Sequence, residues 1–589
     1  MPEELESFET AVMNNSSSGA ICSASNNNAY PPASQGPASS FIRRFLAARE
    51  TDVIDNNINL SDIVLNVAAT REIEKIYLDA DGFALMEQAG AAMAGELISL
   101  YPSRDTPMAI FAGNGNNGGD GYIVARELLK SGYSRVLVLQ AVPQKPGIAA
   151  VRARESYLAS GGVTKPEGDT DLTPDLISSI LTELASGASP SPVIVDALTG
   201  IGFLKSRPGD PVFEKIAAAV REINRTGCPV ISLDVPSLLN SDTGMPLIPG
   251  LAVRASYTLT VFTRKPGLLL GQAGDYAGQV ITVLNDLPRF NYHARMLQAR
   301  EKLLALNYHD LGCFLPVRAR SAHKGDAGRI LLVGGSLGME GALITAGRAA
   351  LRTGAGLIRT VFAGGDRSAL NALNPEIMTG FPENILKDLT WCDAAVAGPG
   401  LGRSARSGGI FREIYGKARK LLVDADGLYW LKRFSENPAL MPRSRPETLI
   451  LTPHAGEAAL LSGKTTAQVL ADPLGTAREL SRKYGAITVL KSAATMVSDG
   501  EFTVILSTGS RGMASGGMGD LLSGVIGALL AGGMDPFQAA VLGVAAHGEA
   551  GRLSEEADGA LGMAAGDLLP FIRRLINGRA GVQENARKN

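Results

Sequence analysis

The chain has 589 residues, 45% of them hydrophobic and 19% charged, with 68 glycines, a make-up that suits large α/β domains whose loops approach ligands closely. A formal net charge of −2 and a pI near 6.3 provide no global positive field to draw the chain onto nucleic acid or an anionic membrane, so the expected partner is a small molecule. Cys22, Cys228, Cys313 and Cys392 lie far apart, without a disulfide framework or zinc spacing, which fits a reducing cytoplasm. The longest apolar uncharged stretch, 521–534, falls short of the roughly 20 residues that span a bilayer and reads as a buried helix.

Residues 1 to about 50 are dominated by Asn, Ser, Ala and Pro and cannot bury enough apolar surface to offset their ordering entropy, so a disordered leader is expected over 1–60. Its acidic opening MPEELESFE argues against a transit peptide, although FIRRFLAAR at 41–49 is a short basic amphipathic candidate. From Thr70, Ile73, Ile76, Tyr77, Ala80, Phe83 and Ala84 recur near helical spacing, and LMEQAGAAMAGELISL continues as a second helix. Apolar runs at 108–112, 136–139, 193–195, 230–233, 257–262 and 280–283 then alternate with helix-length segments, the pattern of a mostly parallel sheet with covering helices. This predicts one α/β domain over 61–290. Residues 291–310 read as a connection. A second strand series follows at 329–333, 357–362, 393–397, 420–423, 448–451 and 487–490, with helices at 341–352 and 455–461 and a hairpin over 495–506 turning at Asp499-Gly500. It predicts a second, unrelated α/β domain over 311–580, followed by a tail at 581–589.

In the first domain, AIFAGNGNNGGDGYIVAREL places Gly113, Gly115, Gly118, Gly119 and Gly121 between a strand and a helix, where backbone N–H groups can hold an anion. The next strand ends in Gln140 rather than the acid that binds a dinucleotide ribose, so an ordinary Rossmann docking is not expected. Asp196 and Asp234 follow two further strands, at the sheet end where ligands bind, and are expected to converge with Asn116, Asn117 and Asp120. This oxygen-rich set, with the Ser237 hydroxyl, suits a hard cation such as potassium or magnesium. GNGNNGGDGYIVAR, VIVDALTGIG, LDVPSLLNSDTG and TRKPGLLLG, with TREIEKIYLD…LMEQAG before them, resemble the NAD(P)H-hydrate epimerase domain over about 65–290. The resemblance implies a Rossmann-like α/β/α sandwich. It also implies that Asn116, Asn117, Gly118, Gly119 and Asp120, with Gly200, Ile201, Gly202, Phe203, Leu204, Lys205, Ser206 and Asp234, hold the hydrated dinucleotide. Asn117, Asp196 and Ser237 would bind potassium. Asp234 would move the proton needed to open and reclose the hydroxyl-bearing ring carbon. Leu238 departs from the glycine usual after Pro-Ser.

In the second domain, GSRGMASGGMGDLLSGVIGALLAGG runs a glycine-rich loop into an apolar helix with Asp520 in its first turn, where a phosphate in transfer would meet N–H donors and Asp520 could accept a hydroxyl proton. The loop resembles the anion hole of ribokinase-like small-molecule kinases. HKGDAGRILLVGGS, GPGLG at 398–402, DADGLYWL, LTPHAGEAALL and VLKSAATMV narrow the resemblance to the NAD(P)H-hydrate dehydratases over about 310–577. By that resemblance Ala342, Gly402, His454 and Asp520 contact the hydrated dinucleotide, and Lys491, Ser492, Ala493, Ala494, Thr495 and Gly519 bind the adenine nucleotide. Ser492 stands where glycine is more usual, and Ser510-Arg511 where Asn-Pro is common.

The implied chemistry joins two steps: exchange of the two hydrate epimers, then phosphorylation of the ring hydroxyl of one epimer, so that the ring nitrogen's lone pair expels phosphate. ADP is the expected donor, giving AMP, with ATP as an alternative, and magnesium would screen the phosphates. The expected assembly is a cytoplasmic homo-oligomer. The competing reading is a vitamin or hydroxymethylpyrimidine kinase carrying an N-terminal nucleotide-sensing or interaction domain.

Overall fold

A computed structural model describes residues 63–578 apart from 78–81, 143–147, 167–171, 187–190, 206–208, 285–300, 367, 369–373, 438 and 443. The expected leader, the tail and Ser206 lie outside the described residues, as do the side chains of Leu204 and Lys205.

Strands β1 (Met108–Ala112), β2 (Val136–Gln140), β3 (Val163–Lys165), β4 (Val193–Ala197), β5 (Val230–Leu233), β6 (Tyr257–Val261) and β7 (Gln279–Val283) form a sheet in the order β3-β2-β1-β4-β5-β6-β7, parallel throughout. Helices cover both faces, so central strands such as β1 and β4 are buried along their whole length, which is why they read as unbroken apolar runs. The order reverses beside β1, and ligands of such sheets bind at that reversal, beyond the strands' carboxyl ends.

The second sheet holds β8 (Leu303–Ala305), β9 (Arg329–Gly334), β10 (Leu357–Phe362), β11 (Met378–Gly380), β12 (Ala394–Ala397), β13 (Lys420–Val423), β14 (Thr448–Leu451), β15 (Ile487–Leu490), β16 (Thr495–Ser498) and β17 (Thr503–Leu506). Their order is β11-β10-β9-β12-β13-β14-β15-β16-β17-β8, and only the pairs around the β16–β17 hairpin are antiparallel. β9 sits between β10 and β12, the second reversal point.

Six helices matter to the sites: α1 (Val67–Tyr77), α2 (Asn116–Lys130), α3 (Glu340–Thr353), α4 (Ala455–Ser462), α5 (Met518–Ala531) and α6 (Pro536–Asp558). In α5, Leu521, Val525, Ile526 and Leu530 are fully or almost fully buried against one face of the second sheet, and α6 adds Phe537 and Val541. Among the described residues no helix is long and apolar enough to cross a membrane.

The expected connection at 291–310 is corrected in part. Residues 303–305 pair with β17 as an edge strand, and Ile63, at the start of the first lobe, makes an antiparallel bridge to Leu304. Asn66 adds a 2.8 Å hydrogen bond to Glu301. β3, β8 and β11 escaped the sequence reading because each has three residues, too few to display a period.

Candidate active sites

In the first lobe, α2 begins at Gly115, which offers no side-chain cap, so the helix's first N–H groups are left for a ligand. Asn117, Gly200 and Asp234 converge there. A Cβ at Gly200 would lie 3.2 Å from Asp234 Oδ2 and 3.3 Å from Asn117 Cβ, so a side chain there would press these groups a few tenths of an ångström apart. Asp234 follows β5 with φ of +65°, a left-handed conformation that tolerates Asp better than most residues, and such outliers gather at functional sites.

The residue that sequence reasoning missed is Lys265. It is 1% exposed, and its ammonium donates to Asp234 Oδ1 at 2.6 Å, Thr260 Oγ1 at 2.8 Å and the Val261 carbonyl at 3.0 Å. The signal was in the sequence, in TRKPG directly after β6. Two more carboxyls face this pair. Burial, then the charge of Asp234, pushes Asp120 well above the usual carboxylate range, and the same two causes push Glu74 of α1 up to about 7.

Asp196 requires a correction: it lies inside β4, because the pairing with β1 runs on through Phe111↔Asp196 and Ala112↔Ala197. Its carboxylate is fully buried and accepts from Ser237 Oγ (2.6 Å), Ser232 Oγ (2.8 Å), Ser237 N (2.9 Å) and Leu198 N (3.2 Å). Thr199 links this group to Asn117: its N–H donates to Ser237 Oγ at 2.9 Å, and its carbonyl accepts from Asn117 Nδ2 at 2.9 Å. Asn117 Oδ1 is then left buried with no hydrogen-bond partner. An orphaned acceptor beside a carboxylate-anchored loop is what a hard monovalent cation would satisfy, so these residues fit potassium.

Other expected contacts divide. Asn116 is exposed at the first turn of α2, whereas the Phe203 ring stacks on Phe213 at 5.7 Å and serves packing. Leu238 is left-handed, with φ of +67°, yet 1% exposed. Its buried side chain offsets a backbone strain of about 1–2 kcal/mol that glycine would not carry.

In the second lobe, α5 starts behind Gly517, whose φ is +87°, and places Asp520 in its first turn. A Cβ at Gly519 would sit 3.2 Å from Lys491 Nζ, so glycine admits the lysine to the helix start. Lys491 donates to Asp424 Oδ1 at 2.8 Å and lies 4.0 Å from Glu457; Ser523 Oγ binds Asp424 Oδ2 at 2.8 Å. Burial disfavours the Lys491 charge, but Asp424 and then Glu457 outweigh it and hold the ammonium above its usual range. Burial, then the Asp424 charge, lifts Asp520 to about 6. Asp424 lies in DADGLYWL, where nothing local in the sequence marks it as a partner of Lys491.

His454 bridges to Lys491 in parallel register and caps α4, with Nδ1 accepting from Gly456 N at 3.0 Å. In the Lys491–Thr495 turn Ala494 is buried in the core, and Ser492 Oγ closes the turn on the Ala494 carbonyl at 2.6 Å. Ser510 caps the turn that follows it, its Oγ accepting from Gly512 N at 2.9 Å. Ala342, in the first turn of α3, and Gly402 sit around the 336–339 loop: a Cβ at Gly400 would lie 3.2 Å from Ala342 Cβ, and one at Gly402 would lie 2.8 Å from Ser336 Oγ.

Two family models match these lobes separately, one described as YjeF-related protein N-terminus over residues 82–267 and one as NAD(P)H-hydrate dehydratase over residues 330–574. The bifunctional NAD(P)H-hydrate repair enzyme Nnr of Escherichia coli (strain K12) is 34% identical over 84% of this chain and 90% of its own length. The chain belongs to the bifunctional NAD(P)H-hydrate repair enzymes. The Vibrio cholerae member is 36% identical over 84% of this chain and 94% of its own. The solved ADP/ATP-dependent NAD(P)H-hydrate dehydratase of Bacillus subtilis, co-crystallised with ATP/Mg2+, is similar at 26% identity, covering 46% of this chain and 97% of that one with a TM-score of 0.41. Because the bifunctional relatives match across both lobes, they favour hydrate repair over the vitamin-kinase alternative.

Proposed function

We propose that the chain restores hydrated NADH and NADPH in two steps. The first lobe, over about 61–290, interconverts the R and S hydrate epimers; the second, which starts by residue 303, dehydrates the S form at the expense of ADP, giving AMP and phosphate. The observation that carries this reading is Asp520, a half-buried carboxyl lifted to about 6 in the first turn of a helix entered through a glycine-rich loop. There it accepts the proton of the ring hydroxyl as that oxygen takes the phosphoryl group, while the helix N–H groups and Lys491 stabilise the transferring phosphate. Hydroxide is a poor leaving group; the phosphate that replaces it leaves readily as the ring nitrogen pushes its lone pair in.

The Lys491–Thr495 turn and Gly519 would hold the adenine nucleotide, and Ala342, Gly402 and His454 the dinucleotide. Among the described residues no group of three or more His, Cys, Asp or Glu side chains is arranged to hold a metal ion. Magnesium in this reading would enter on the nucleotide and neutralise its phosphate charge. In the first lobe Asn117, Asp196 and Ser237 would hold potassium, which would fix the loop that presents Gly200. Asp234, ion-paired to Lys265, moves the proton of the ring hydroxyl. A cytoplasmic homo-oligomer acting on small molecules completes the reading.

The test is a phosphate assay. With hydrated NADH and ADP, release of inorganic phosphate matched by return of the reduced-nicotinamide absorbance is expected; accumulation of a stable phosphorylated product would mean a kinase instead.

A further inference from the structure

The second lobe must also hold the charged half of its substrate. A hydrated dinucleotide carries a pyrophosphate, yet of the residues expected to touch it Ala342 and Gly402 bear no charge, His454 bears one only when protonated, and Asp520 repels it. Lys491 is committed to Asp424 and Glu457. A cation stands next in the chain to Gly402. The 398–402 turn follows β12 and lies against the turn after β9, at the second reversal of strand order: the Pro399 carbonyl accepts from Gly335 N at 3.0 Å and that of Gly400 from Ser336 N at 2.7 Å. Gly402 itself, left-handed with φ of +77°, is gripped from both sides by the helix Asp426–Glu436. Its N–H donates to Asp426 Oδ2 at 2.9 Å, and its carbonyl accepts from Trp430 Nε1 at 3.0 Å. The same Asp426 reaches Arg403: Nε donates to Oδ1 at 3.0 Å, and the guanidinium carbon lies 4.5 Å from the centre of the Tyr429 ring. Tyr429 in turn meets Trp430 edge-on at 5.3 Å.

Asp426 and Tyr429 thus fix the inner edge and one face of a guanidinium whose side chain is still 64% exposed. Among the described residues its Nη donors make no hydrogen bond. A guanidinium held through Nε presents an outer edge whose fork matches two phosphate oxygens. An exposed ion pair by itself stabilises a fold very little, whereas here one carboxylate orders both the arginine and the buried backbone of the neighbouring glycine. We propose that Arg403 binds the pyrophosphate of the hydrated dinucleotide, beside Gly402, with Asp426 as its positioning residue; this rests on the dehydratase reading above. Arg403 makes and breaks no covalent bond. Its contact is the same in the ground state and while the ring phosphate forms and leaves, so it acts on KM rather than on kcat. The pyrophosphate is common to both substrates, so hydrated NADH and hydrated NADPH should depend on Arg403 alike.

The experiment measures dehydration of the S epimers of hydrated NADH and hydrated NADPH by the full chain with saturating ADP, for the wild type, Arg403→Ala, Arg403→Lys, Asp426→Asn and the Arg403→Ala/Asp426→Asn pair. Arg403→Ala should raise KM for both dinucleotides about 10- to 100-fold, with little change in kcat and none in KM for ADP. The retained kcat shows that the lobe is folded. Arg403→Lys, which keeps the charge and loses the fork, should fall between that variant and the wild type. Asp426→Asn should raise the same KM, and by less when Arg403→Ala is already present. An equal effect in both backgrounds overturns the positioning role of Asp426. Unchanged KM for both dinucleotides in Arg403→Ala overturns the proposal, and a rise confined to hydrated NADPH overturns it in favour of the 2′-phosphate. A wild type that dehydrates neither hydrate with ADP overturns the dehydratase reading itself.

Discussion

The two lobes solve one problem with similar parts. Each sets a candidate site beyond the carboxyl ends of parallel strands, and each clamps one lysine against an aspartate, Lys265–Asp234 at 2.6 Å and Lys491–Asp424 at 2.8 Å. They differ in which carboxylate is clamped. In the first lobe the lysine holds the residue assigned to move the proton, and the remaining acids, Glu74 and Asp120, are pushed upward around it. In the second it holds Asp424, a supporting residue, and leaves Asp520 unclamped at a helix start. Direct pairing suits a base that must work beside two other acids. Poising by burial and repulsion suits a base that must take up a proton while an incoming phosphate adds negative charge.

The sharpest way to separate the lobes is Asp520→Asn, which should lower dehydration by about 10²–10⁴-fold and leave epimer exchange as it was, measured on the same preparation. The clamps should matter next. Lys265→Met and Lys491→Met each strand a carboxylate in a buried site and should cost about 3–5 kcal/mol in denaturant unfolding, and each should silence its own lobe first. If either loss is negligible, the two clamps are not equivalent. The acid limb of dehydration follows: Asp520 must be ionised to accept a proton, so kcat/KM should fall about tenfold per pH unit below about 6. A limb near 4 would mean that neither burial nor Asp424 poises it. The smallest effect is expected at Leu238. Leu238→Gly relieves about 1–2 kcal/mol of left-handed strain but opens a cavity worth about 2–5 kcal/mol, so thermal unfolding should show a net loss.

The comparison also shows what a sequence displays. Strands 230–233, 357–362, 420–423, 448–451 and 487–490 were legible to the residue because they are buried on both faces and bounded by polar turns. Asp520 was legible because so many adjacent glycines leading into a helix have few other uses. Lys265 and Asp424 sat within the stretches TRKPG and DADGLYWL, but nothing local marks them as functional. Their roles come from charges brought together from 31 residues away for Lys265–Asp234 and 67 for Lys491–Asp424. Asp196 was misjudged by its position relative to the strand end, because only the register with β1 shows that β4 continues through it.

The most direct test of a two-step repair is to incubate the full chain with ADP and a mixture of both hydrate epimers and follow the return of the reduced-nicotinamide absorbance. The wild type should recover the whole mixture, and Asp234→Asn should recover the S fraction and then slow markedly. Recovery of the whole mixture at the same rate by Asp234→Asn would contradict the division of labour between the lobes.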